Sequence, residues 1–168
     1  DYMIRLAPCT VFIIKNWRPI PTLEATCNYL VALDGGAASF RGLEQILQIA
    51  KEGDSVVGVM ISPGPEDADD KVISEKAVAI MKGGPHVLAT TRVVHRTLVE
   101  GKGTLGEQLC LASDEMEADF LVVGTSKISP GAENRSSLTH LGSVAFYASQ
   151  HCKCHAVVVK PAIFHAKA

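Results

Sequence analysis

The feature that most restricts this chain is a repeated alternation. Short apolar runs without polar interruption are each followed by a stretch of helical period. Asn28 to Leu33 ends at Asp34-Gly35-Gly36 and leads to Phe40 to Lys51, where Leu43, Ile46, Leu47 and Ala50 recur at helical spacing. Ser39 is the expected N-cap of that helix, its hydroxyl accepting from a free backbone N–H. Ser55 to Ile61 is a second strand run, stopped by Ser62-Pro63-Gly64-Pro65, and Asp69 to Lys82 reads as the next helix, closed by Gly83-Gly84-Pro85. The third strand is Thr91 to Val99 and the third helix Thr104 to Glu117. Phe120 to Val123 is the fourth strand, Leu141 to His151 the fourth helix and Ala156 to Lys160 the fifth strand. Strands this rich in Val and Leu are buried on both faces. The alternation therefore predicts an α/β fold: a doubly wound, mainly parallel five-stranded sheet with helices on both faces. Such sheets bind ligands beyond the carboxyl ends of their strands, where the strand order reverses. That places the functional residues at Asp34, at Val59 to Ser62 and from Gly124 onward.

Composition removes several classes of function. Of 168 residues, 47% are hydrophobic types, and 16 Lys and Arg face 18 Asp and Glu for a formal net charge of -2. A chain so apolar and so nearly neutral folds rather than staying disordered. It also lacks the basic excess that a broad nucleic-acid footprint needs. No apolar run approaches the roughly 18 residues that span a bilayer, so neither nucleic acid nor membrane is an expected partner. Five cysteines cannot all pair within one chain. With no secretory signal in front of them, reduced thiols in a cytoplasmic protein are expected.

The two ends of the chain echo each other. Setting Asp1 to Asn16 against Phe146 to Pro161 aligns Tyr2 with Tyr147, Cys9 with Cys154 and Lys15 with Lys160, and lays Val11 to Ile14 on Ala156 to Val159. The shared order is helix end, turn, strand and lysine. The chain begins with Asp rather than Met, so either a piece cut from something longer or an unresolved start is expected. The division that follows is residues 1–16 as the closing helix and strand of a preceding repeat, 17–27 as a linker, 28–161 as the main domain and 162–168 as a tail. A hydrophobic, β-prone strand such as Thr10 to Lys15 invites aggregation if left unpaired. It is therefore expected as an extra antiparallel edge strand from the N-terminus. The expected partner is the chain itself, as a dimer or a tandem-repeat pairing through Val11–Ile14 and Ala156–Val159.

The motifs at both ends of the main domain resemble the universal stress protein family. Val31-Ala32-Leu33-Asp34-Gly35, with Ser39 shortly after, is similar to that family's opening strand and turn. Ala118-Asp119-Phe120-Leu121-Val122-Val123-Gly124 is similar to the strand before its nucleotide loop. Gly142-Ser143-Val144 and Ala156-Val157-Val158-Val159-Lys160 are similar to its closing helix and strand. The resemblance covers Asn28 to Pro161. It implies a nucleotide-binding stress-response domain acting as sensor or switch, with ATP or AMP as ligand and Mg2+ accompanying ATP. Hydrolysis would be slow at most, and binding would order the segment 124–142. By the same resemblance Asp34 would lie near the nucleoside, Val59 would line the base, and Val123, Gly124, Lys127, Gly131, Gly142, Ser143 and Val144 would form the nucleotide loop. The family's pattern for that loop, G-x2-G-x9-G-[ST], is altered: Lys127 stands where the second glycine is expected, Gly131 follows Gly124 after six residues, and Gly142 follows after ten more. Either Gly131 replaces the missing glycine, or the loop no longer holds triphosphate. The second reading makes the chain a non-nucleotide-binding dimerisation or interaction module. Independent of the family, glycines let backbone N–H groups approach an anion. The helix opening at Gly142-Ser143-Val144 offers free N–H groups and its dipole, and Lys127 and Arg135 add positive charge against Glu133. Asp34 also suits a turn residue bonding its own backbone.

Other signals are weaker. Gly101-Lys102-Gly103-Thr104-Leu105-Gly106 matches G-x-G-x-x-G between a strand and a helix, but the next strand ends without the acid that would hold a ribose. His151-Cys152-Lys153-Cys154-His155 is dense in soft ligands, yet metal sites assemble from separated pairs, and strand neighbours point to opposite faces. Asn134-Arg135-Ser136 is a glycosylation sequon without meaning in a cytosolic chain, and Ser136 and Ser137 are ordinary polar-loop serines. The six histidines lie beside no nucleophile in a recognisable motif, so no catalytic residue and no metal ligand is assigned.

Overall fold

The structure is a computed structural model that describes residues 2–15, 25–84, 89–101, 103–125 and 141–160. Its elements in chain order are α1 (Tyr2–Leu6), β1 (Val11–Ile13), β2 (Asn28–Ala32), α2 (Ala37–Ile49), β3 (Ser55–Ser62), α3 (Ala68–Gly83), β4 (Thr90–Thr97), α4 (Leu105–Glu115), β5 (Phe120–Gly124), α5 (Ser143–His151) and β6 (His155–Val159). The six strands form one sheet in the order β1-β6-β5-β2-β3-β4. All neighbours among β2 to β6 are parallel, and β1 lies antiparallel on β6, so the expected α/β class and the expected edge strand are both found. The proposed linker and tail fall largely or wholly outside the described residues.

The uninterrupted apolar runs are explained by burial on two sides. Successive strand residues alternate between two cores. Tyr29, Val31, Val56, Met60, Phe120, Val122, Val157 and Val159 pack on Phe40, Leu43, Ile46 and Leu47 of α2 and on Ala77 and Met81 of α3. Leu30, Val57, Val59, Leu121, Val123 and Val158 point the other way, onto Leu109 and Ala112 of α4, Ala145 and Ala148 of α5, and Ile4 of α1. β4 departs from the expectation of strands buried on both faces: it is an outer strand, and none of its residues is fully buried.

Helix starts follow local chemistry. Asp67 and Thr104 cap α3 and α4 in reciprocal capping boxes with Asp70 and Glu107. The expected cap of α2 is corrected. That helix begins at Ala37 with Gly36 as N-cap, and Ser39 lies inside the first turn, its hydroxyl donating to the Gly36 carbonyl at 2.8 Å. The Asp34 turn places the chain in helical register three residues sooner than the apolar period suggests. The glycines of the G-x-G-x-x-G stretch also have structural reasons. Gly101 and Gly103 take positive φ (77° and 91°) in the turn before α4. A Cβ on Gly106 would lie 2.9 Å from the Cβ of Tyr147, so this glycine lets α4 and α5 meet closely.

The expectation of reduced thiols is also corrected. Cys110 on α4 and Cys152, just past α5, are joined in a disulfide, with Cα atoms 4.9 Å apart and a sequence separation of 42. The close α4–α5 approach that Gly106 permits brings these positions together, which spacing in the sequence does not reveal. Cys9, Cys27 and Cys154 are free thiols, and burial pushes the Cys27 and Cys154 thiols above their ordinary range. A loop of this length implies about 3–4 kcal/mol of stabilisation through restriction of the unfolded chain. Urea unfolding with and without reductant should differ by that amount, and Cys110→Ser should abolish the difference.

Candidate functional site

β2 pairs with β3 on one side and β5 on the other, while the chain leaves β2 toward β3 and leaves β5 toward β6. The strand order therefore reverses between β2 and β5, and a crevice opens beyond their carboxyl ends. A cavity occupies it. Its walls are Ala32, Leu33 and Asp34 after β2, Val59 and Ile61 of β3, Val123 and Gly124 of β5, Leu105 and Leu109 of α4, and Val144 and Ala145 of α5. The lining is apolar except for one side chain, the exposed carboxylate of Asp34.

The local backbone explains how Asp34 comes to the rim. The Leu33 N–H donates to the Val59 carbonyl at 2.8 Å, carrying the β2–β3 ladder one residue past the strand. The chain then turns at Gly35, whose φ of 73° suits a residue without Cβ. Asp34 Oδ1 accepts the Gly36 N–H at 2.8 Å. Turn residue and ligand group are thus not exclusive alternatives, since a carboxylate offers about four acceptor positions and the turn uses one.

Gly124 has a packing reason as well as a place on the lining. A Cβ there would stand 3.0 Å from the Ser39 backbone nitrogen and 3.1 Å from the Ala38 Cβ, so its absence lets the end of β5 touch the first turn of α2. On the opposite wall α5 begins. Gly142 is its N-cap and has no side-chain oxygen to give, and Ser143 is the exposed first residue. Val144 and Ala145 of that first turn line the cavity, which puts helix-start N–H groups and the positive end of the dipole at its mouth.

Of the residues expected at the site, Asp34, Val59, Val123, Gly124 and Val144 line the cavity, and Gly142 and Ser143 adjoin it at the start of α5. Lys127 and Gly131 lie outside the described residues, as do the sequon and its neighbouring serines. Ile61 falls within the stretch Val59 to Ser62 expected at the strand end, whereas Ala32, Leu33, Leu105, Leu109 and Ala145 were not singled out. Leu105 carries a signal that could have found it: a large apolar residue directly after the cap of α4, on the same edge of the sheet as Asp34, and still 37% exposed.

The dense cluster at 151–155 disperses. Cys152 is in the disulfide, Cys154 Sγ donates to Ser113 Oγ at 3.5 Å, His155 Nδ1 accepts the Lys15 N–H at 3.1 Å, and His151 packs on the Tyr147 ring. No sequence motif sets a histidine beside a nucleophile, but the fold brings one histidine to a hydroxyl. Ser62 Oγ lies 2.7 Å from His95 Nε2, and Asp70 Oδ2 is 3.2 Å from that same nitrogen. The pairing joins β3 to β4 and so is invisible in sequence. One ring nitrogen cannot both accept from the serine and donate to the aspartate, and the Ser62 hydroxyl also has the Gly64 carbonyl at 3.2 Å. This arrangement ties α3 to the sheet rather than activating a nucleophile.

Comparison with known proteins fits this architecture. The pattern of the Universal stress protein family matches residues 28–160. The chain belongs to the universal stress protein family. Universal stress protein PHOS34 from Arabidopsis thaliana is 25% identical over 159 residues, 94% of this chain and 49% of that protein. The chain thus spans about half the length of this curated relative. A universal stress protein crystallised in complex with cAMP is 26% identical, with a TM-score of 0.58 over 82% of this chain and 99% of that one. The universal stress protein from Archaeoglobus fulgidus in complex with dAMP (20% identity, TM-score 0.56, 82% and 100% coverage) and a family protein from Arabidopsis thaliana with AMP bound (16%, 0.57, 84% and 97%) share the fold. No helix among the described residues is long and apolar enough to cross a membrane.

The close approach at Gly124 generates a prediction. Gly124→Val should push β5 away from α2 and cost about 1–3 kcal/mol of stability, the range for overpacking a tight contact. Chemical denaturation measures it, and Val123→Ile, which adds one methylene on the cavity side, should cost less.

Proposed function

We propose that the crevice between β2 and β5 binds an adenine nucleotide and that the domain serves as a nucleotide-dependent sensor or switch in a stress response. The observation that carries this reading is the pairing of one carboxylate with an apolar slot and an open helix start. Val59, Ile61, Val123, Leu105 and Leu109 form walls suited to a flat heteroaromatic base. Asp34, at the rim, can accept from a base amine or a ribose hydroxyl. The first turn of α5 supplies N–H donors for a phosphate. The cAMP complex of the 26%-identical relative supports the ligand class. ATP, with Mg2+, belongs to this proposal alongside AMP. A second reading, an interaction module without nucleotide, is favoured by one observation: Lys127 stands where the family's loop has a glycine.

Nucleotide released from freshly purified protein and identified by chromatography tests the proposal, together with calorimetry against AMP, cAMP and ATP with and without Mg2+. Absence of binding at millimolar nucleotide favours the second reading. Two variants separate the roles of Asp34. Asp34→Ala should lose a charge-assisted hydrogen bond worth about 1.5–3 kcal/mol, roughly a 10- to 150-fold loss of affinity. Asp34→Asn keeps an oxygen for the Gly36 N–H, so its thermal midpoint should stay at the wild-type value while affinity still falls. If both variants bind as the wild type does, the carboxylate serves the turn alone.

A further inference from the structure

Two walls of the cavity are joined by a covalent bond. Leu105 and Leu109 stand on α4, and Val144 and Ala145 on α5. Cys110 follows Leu109 directly and lies about 7.5 Å along the helix from Leu105, and Cys152 closes α5 about 10 Å beyond Ala145. The contacts between the two elements form a ladder. Gly106 admits Tyr147, Cys110 is bonded to Cys152, Lys153 Nζ meets Asp114 Oδ2 at 2.7 Å, and Cys154 Sγ donates to Ser113 Oγ at 3.5 Å. The noncovalent rungs are weak. The Lys153 side chain is 70% exposed, and an ion pair so placed contributes little. The buried residues of α5 are Ala145, Ala148 and Ser149, which remove little apolar surface from water. Among the described residues, the disulfide is therefore the strongest tie between α4 and α5.

The bond can be approached from one side. Cys110 is half-buried and lines a surface groove with Glu107, Leu111, Asp114, Tyr147 and His151, whereas Cys152 is buried. An incoming thiolate thus meets Cys110 Sγ first. Cys154, two residues from Cys152, does not open the bond from within: burial pushes its thiol up and keeps it protonated. Once the bond opens, the two sulfurs must separate to nonbonded contact. Cys152 is packed in the core that also holds Leu109, Val123 and Ala145. A close-packed interior leaves no void for the displaced sulfur, so the helices take up the added separation.

We propose that Cys110–Cys152 is a redox switch on the cavity: the bond holds the α4 and α5 walls at the separation that fits the ligand, and reduction by an external dithiol lets them part and weakens binding. The ligand side of the switch rests on the nucleotide reading of the crevice. In the reducing step a thiolate of the dithiol attacks Cys110 Sγ, the S–S bond breaks, and Cys152 Sγ leaves as a thiolate and takes a proton. The second thiolate of the dithiol attacks its own sulfur in the mixed disulfide and releases Cys110 Sγ, which takes a proton in turn. Two electrons pass to the protein, and the dithiol ends as a disulfide. The coupling is reciprocal, so bound nucleotide must make the bond harder to reduce by the same factor by which reduction weakens binding.

The test compares the oxidised chain, the chain held reduced by dithiothreitol, and Cys110→Ser. Calorimetry with AMP should show affinity falling about 5- to 150-fold on reduction, the usual span of coupling between two sites. Cys110→Ser should bind as the reduced chain does and ignore the reductant. Redox titration against dithiothreitol, with thiols trapped by alkylation, should show saturating AMP moving the potential of the bond about 30 mV more negative for each tenfold of that loss. Without ligand, the backbone amide NMR shifts of Leu105, Val144 and Ala145 should move on reduction while those of α2 stay. If neither form binds AMP, cAMP or ATP, the nucleotide reading fails, and these amide shifts alone decide the switch. The proposal is overturned if the shift changes stay within one helical turn of the two cysteines, or if nucleotide binds with equal or higher affinity after reduction. A reduced chain that unfolds overturns it as well, because the bond is then a staple of the whole fold.

Discussion

The parallel pairing of β2 with β5 is the contact on which the rest depends. It places the first strand of the main domain in the middle of the sheet, with β3 on its other side. Register is fixed at the amino ends by buried or half-buried carboxylates. The Asp119 N–H donates to the Asn28 carbonyl at 2.8 Å, and Asp119 Oδ2 accepts the Asn28 N–H at 2.9 Å. Asp54, 1% exposed, accepts from the backbone of Cys27 and Lys51. With the amino ends tied, Tyr29 meets Phe120, Leu30 meets Leu121 and Val31 meets Val122. Each pair feeds the two cores alternately. The rings of Tyr29 and Phe120 stack at 5.4 Å on the α2–α3 side. A slip by one residue would exchange the two faces of β5 and expose its fit to both helical layers.

The same contact creates the crevice. Two strands that diverge toward opposite halves of a sheet cannot have their following helices on the same side. α2 after β2 covers one face and α5 after β5 covers the other. The gap between the two connections is where Asp34 and the start of α5 face each other across apolar strand ends. Structural and site roles therefore coincide in several residues. Gly124 lines the cavity and admits α2, and Asp34 builds the turn and offers an acceptor at the rim.

Legibility in the sequence followed the range of the interactions. The strands and helices were readable because their burial writes a local period, and Val11 to Ile13 because it repeats the apolar strand near the other end. Asp34, Val59 and Gly124 were readable because each sits at or near the carboxyl end of a strand, and Val123 and Val144 through the family motifs that contain them. Leu109 was not, since its place on the cavity depends on how α4 leans on α5, which Gly106 and Tyr147 decide. Nor was the first cap of α2, where the Asp34 turn overrode the apolar spacing.

The sequence by itself determined the α/β class, the two-faced burial of the strands, the turn at Asp34-Gly35-Gly36, and the family motifs at both ends of residues 28–160. All of these are statements about neighbours along the chain, which period, turn chemistry and local motif can encode. Tertiary structure alone decided the strand order, the Cys110–Cys152 bond, the meeting of Ser62 with His95 and Asp70, and the register of β1 on β6. Those join groups tens of residues apart. Their distances are set by sheet pairing and helix packing, and no local pattern of side chains carries that information.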